Sequence, residues 1–123
     1  MNTVSDLEWS AGSKNVVWRC NGLPVCKAYN EAPGSVCELE DGSGVLVIEP
    51  LSMSAPRNAV IFEATGSERV RIEALRVTGG LVGYYEGYYS GGGLMLVFES
   101  TAGLWWAHVD ERTGQPSAVN EYR

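Results

Sequence analysis

The chain has 123 residues, 45% hydrophobic and 20% charged, enough apolar material for one folded core and too little charge for a disordered segment. Nine Lys and Arg stand against fifteen Asp and Glu, a net charge of -6, and such a surface repels a phosphate backbone, which excludes nucleic acid as a favoured partner. No apolar run approaches the roughly 18 residues that cross a bilayer, and the first residues carry neither the basic nor the apolar region of a secretion signal, so the expectation is a cytoplasmic protein with no membrane partner.

Taken in chain order, short apolar or alternating runs closed by Gly, Pro, Asn or Ser predict strands over 16–20, 25–29, 36–40, 45–49, 59–63, 69–75, 81–85, 94–99 and 104–110. Asn21-Gly22 supplies residues that tolerate positive φ between the first two strands, and Asp41-Gly42 does so between the third and fourth. Pro24 and Pro33 fall at strand edges, where no ladder N–H is needed. The proline-bracketed segment 50–56 reads as a linker between hairpins and a candidate crossing from one sheet to another. Residues 67–76 contain helix formers behind Ser67, but Val70 and Ile72 alternate with Arg69, Arg71 and Glu73 at period two, so a strand is expected.

An aromatic followed by a polar residue and a glycine turn recurs at Tyr29, Phe62 and Phe98. That spacing suits stacked hairpins as well as a true repeat. The expected fold is therefore all-β: a single domain over 1–123, an antiparallel meander of hairpins closing into a barrel or a two-layer sandwich, with a short helical turn at a terminus.

Chemical motifs are sparse. Cys20, Cys26 and Cys37 are odd in number, and their separations match no closed zinc site. Reduced thiols acting as small apolar side chains are expected, with no metal and no cofactor. His108 is the lone histidine, no G-x-S-x-G elbow occurs, and the glycine-rich segment 79–93 lacks the lysine of a phosphate loop. Carboxylates remain: Glu49, Glu63, Glu86 and Glu99 would need to converge on one cleft to hydrolyse a glycoside.

Two segments stand out. In 83–90 a Gly-Tyr-Tyr unit repeats with period four, placing Tyr84, Tyr85, Glu86, Tyr88 and Tyr89 together, and Gly91-Gly92-Gly93 follows as a hinge or tight bulge. Tyrosine offers a large amphipathic contact area with few rotatable bonds, and glycine lets the backbone conform. In 104–110, alternation assigns Trp105, Ala107 and Val109 to one face and Trp106, His108 and Asp110 to the other. The expected function is non-catalytic binding of a protein or small-molecule ligand through Tyr84, Tyr85, Glu86, Tyr88, Tyr89, Trp106 and His108, a surface that is also a candidate for homo-oligomer formation. The alternative is a small hydrolase working with Glu86, Glu99, His108 or Asp110 in a β cleft.

Overall fold

The segments Gly-Val-Leu-Val-Ile and Ala-Val-Ile-Phe-Glu are apolar on both sides of a strand, and such strands are buried only in a sheet covered on both faces. A computed structural model, describing residues 2–73, 77 and 79–122, shows this arrangement. The N-terminal sheet holds β1 (Val4–Glu8), β2 (Asn15–Cys20) and β3 (Leu23–Ala28). The central sheet holds β4 (Ser35–Glu38), β5 (Gly44–Ile48), β6 (Ala59–Glu63) and β7 (Glu68–Arg71), and the C-terminal sheet holds β8 (Leu81–Ser90), β9 (Gly93–Ser100), β10 (Gly103–His108) and β11 (Asn120–Glu121). Every named pairing is antiparallel between strands consecutive in sequence.

Two cores follow from the pleat of the central sheet. Val45, Val47, Val60 and Phe62 pack with Val4, Val16, Trp18 and Cys20 of the N-terminal sheet. Their neighbours Leu46, Ile48, Ala59 and Ile61 point the other way, onto Tyr84, Leu94, Leu96, Phe98, Ala107 and Val109 of the C-terminal sheet. The fold is thus an open all-β sandwich in which no barrel closes, and its third layer exists because β5 and β6 are apolar on both faces. Trp18 is fully enclosed and its indole N–H donates to the Ala64 carbonyl at 2.7 Å, which satisfies its single polar atom.

The predicted strand 59–63 coincides with β6, and most of the others differ by a residue or two. Of the run 69–75, residues through Arg71 belong to β7, Ile72 extends its pairing with an N–H to the Ala59 carbonyl, and residues 74 and 75 lie outside the described residues. The segment 50–56 does not cross between sheets. It joins β5 to β6, adjacent strands of one sheet, and contains the short helix α1 (Leu51–Ser54), so the helical turn is internal rather than terminal. The chain passes between sheets instead after β3 and after β7.

Gly91-Gly92 is a two-residue turn between the paired residues Ser90 and Gly93, with φ of 62° and 87°. Positive φ at both positions is what a tight hairpin of this hand requires, so the triple glycine is a turn rather than a hinge. The three aromatics do not mark equivalent places: Phe62 and Phe98 lie within strands, whereas Tyr29 follows β3.

Candidate binding face

A period of four cannot keep one face on a plain strand, whose side chains alternate. Two bulges in β8 resolve this. Its register against β9 runs Leu81↔Ser100, Tyr84↔Phe98, Gly87↔Leu96 and Tyr89↔Leu94, with Val82 and Tyr85 as the extra, exposed residues. Leu81, Tyr84, Gly87 and Tyr89 therefore all face the central sheet. At Gly87 the strand approaches the central sheet closely: a Cβ there would overlap the Leu46 side chain and crowd Leu96, so both would have to shift.

This geometry turns two of the seven residues expected to contact a ligand toward the core and away from the outer face. Tyr84 is 1% exposed, packs edge-on against Phe98, and donates its hydroxyl to the Glu73 carbonyl at 2.7 Å; burial pushes its hydroxyl far above the usual tyrosine range. Tyr89 leans on the same core, donating its hydroxyl to the Glu111 carboxylate and accepting the Glu40 N–H at 2.9 Å. Burial first, and then the Glu111 carboxylate, raise its pKa as well. Tyr84 is closed off from solvent, and Tyr89, half-buried, is turned to the inner side of the sheet.

The other five reach the surface. Pairing sets out the outer face of the C-terminal sheet in rows: Tyr88, Met95 and His108; then Glu86, Val97, Trp106 and Asn120; then Glu99 and Leu104. Tyr85, 39% exposed, stands at the bulge beside this face, and its hydroxyl is hydrogen-bonded to Glu99, which raises its pKa. Met95 and Val97 belong to neither core cluster yet are only 7% and 3% exposed. Beside them the Tyr88 hydroxyl bonds to that of Tyr122, which raises the Tyr88 pKa. The result is an open depression of about 320 Å3 lined by Tyr88, Ser90, Met95, Trp106, His108 and Tyr122.

His108 has a structural task at the rim. Its Nε2 lies 2.6 Å from the Ser90 carbonyl, which can only accept, so Nε2 carries a proton. Its ring meets Trp106 edge-to-face at 5.3 Å and lies over the Gly91–Gly93 turn. Tyr122 was not legible as a site residue, because β11 is two residues long and too short to show a period.

Glu49 and Glu63 do not converge on one cleft, whereas Glu86 and Glu99 stand in adjacent rows of the outer face. Glu49 and Glu63 lie at opposite ends of the β5–β6 ladder, about 17 Å apart along the strands at about 3.4 Å per residue. Glu63 accepts Arg69 at 2.6 Å, and that partner holds its carboxyl below the usual range. Glu49 accepts from Arg71 at 2.6 Å, Ser54 at 3.0 Å and Tyr29 at 2.9 Å. A second concavity of about 430 Å3 is lined by Glu31, Glu49, Ser52 and Tyr85, but the Glu49 oxygens in its wall are already engaged. Asp110 folds back on its own loop, where the N–H groups of Thr113 and Arg112 hold its carboxyl low, rather than toward His108. Cys20, Cys26 and Cys37 are free thiols, and among the described residues no three side chains are grouped to hold a metal ion.

No protein-family model matches the chain, and no curated protein or solved structure is significantly similar to it.

Proposed function

We propose that the protein is a non-catalytic interaction module whose contact surface is the outer face of the C-terminal sheet. The observation that carries this reading is the cluster of Tyr88, Trp106 and Tyr122 around an open depression, with Tyr85 and Leu104 exposed nearby. Large rings that are neither core nor fully solvated are the usual anchors of a binding surface. Catalysis is the weaker reading because Glu49, Glu63 and Asp110 are each held by hydrogen bonds within the fold, and Glu86 and Glu99 stand on an open face rather than in an enclosed cleft. Three free thiols suit the cytoplasm.

A photo-crosslinking residue at position 104, exposed on this face, is expected to form discrete adducts when the protein is irradiated in its producing cell. The same residue at position 28, exposed on β3 of the N-terminal sheet, is the control. Equal yields from both positions, or none from 104, contradict the proposal; an adduct of exactly twice the chain mass would identify the partner as a second copy.

A further inference from the structure

Resting on that reading, we infer that the outer face of the C-terminal sheet takes a basic polypeptide segment and seats one of its Arg or Lys side chains among Tyr88, Trp106 and Tyr122. Three phenol and indole rings line the depression together with Met95 and His108, and a ring face attracts a cation through its quadrupole, most strongly where water is displaced. Charge on this sheet is one-sided. The strands β8, β9 and β10 contain Glu86 and Glu99 and not one Lys or Arg. The described cations lie elsewhere: Lys14, Arg19 and Lys27 in or beside the N-terminal sheet, Arg57, Arg69 and Arg71 in or beside the central sheet, and Arg112 in the loop after β10.

Glu86 is exposed in the row next to Tyr88 and shares its row with Trp106, so a cation seated against these rings has a carboxylate on the same face. An acidic partner would be repelled, and a second copy would bring the same glutamates face to face within a chain of net charge -6. An extended segment suits the shape better than a small ion, because exposed Tyr85 and Leu104 continue the contact surface beyond the depression.

The test is fluorescence anisotropy of a labelled peptide of alternating arginine and glycine, titrated with the intact protein at low and high salt. Saturable binding that weakens with salt is expected, with no binding of a matched peptide carrying glutamine for arginine. Trp106→Ala should weaken binding about tenfold or more while Trp106→Phe keeps most of it. Glu86→Lys, at an exposed position that leaves folding intact, should weaken it by a similar factor at low salt. Absence of binding, or equal binding by Trp106→Ala and Glu86→Lys, overturns the inference. Tetramethylammonium bound as tightly as the peptide would make the cage a small-ammonium site and overturn it equally. If the peptide fails while position 104 still yields adducts, the binding face stands with a different partner; if both fail, neither reading survives.

Discussion

Replacing Asn58 by Ala is expected to cost about 3–5 kcal/mol, much of the roughly 5–15 kcal/mol that holds a domain of this size folded. Asn58 is fully buried, and its side-chain amide does the work of a missing strand. Its Oδ1 accepts the Tyr84 N–H at 2.8 Å, and its Nδ2 donates to the carbonyls of Tyr84 at 2.9 Å and Glu49 at 3.0 Å. β8 is an edge strand, and these bonds occupy edge groups that would otherwise be buried unpaired where the C-terminal sheet docks on the central one. Alanine leaves one N–H and two carbonyls without partners, at about 1–3 kcal/mol for each group that water does not reach. Aspartate should be worse than alanine, since its second oxygen would face both carbonyls. Urea denaturation measures the loss; a cost below about 1 kcal/mol would mean that apolar packing alone secures β8.

Arg71→Met is expected to cost a comparable 3–5 kcal/mol, roughly the penalty for stranding a buried charge. Glu49 is 4% exposed, and Arg71 is its cationic partner, bonded at 2.6 Å while also donating to the Arg57 carbonyl at 2.9 Å. Tyr29 and Ser54 add neutral hydrogen bonds that position the carboxylate without neutralising it. Adding Glu49→Gln to Arg71→Met should restore more than half of the lost stability, because the charge that needed a partner is gone. Losses that simply add in the double variant would show that the pair is not coupled.

Where apolar periodicity was regular, the sequence was a good guide. The run 59–63 is β6, and Asn21-Gly22 forms the two-residue turn between Cys20 and Leu23. β1 escaped notice because Asp6 has φ of 53° and the register against β2 shifts between Ser5 and Glu8, so Val4 and Leu7 sit three apart instead of two. The face of each tyrosine was likewise hidden: bulges are a property of register, and register depends on β9, whose pairing the Gly-Tyr-Tyr repeat does not encode. Trp105 and Trp106 were separable because β10 keeps its register with β9 throughout. Asn58 carried no signal, since its role comes from a strand 26 residues away.

The claim that the outer face of the C-terminal sheet serves contact rather than folding is tested most directly in the Tyr85→Ala/Tyr88→Ala variant. Its melting temperature and its adduct yield from a crosslinker at position 104 are measured together. Tyr85 is an exposed bulge residue and Tyr88 a half-buried one, so the combined stability loss should stay near about 1–2 kcal/mol, against about 3–5 kcal/mol for Tyr84→Ala in the core. The expected result is a melting temperature within a few degrees of the parent with the adducts lost. A collapsed melting temperature with adducts unchanged would contradict the claim and make these rings part of the fold.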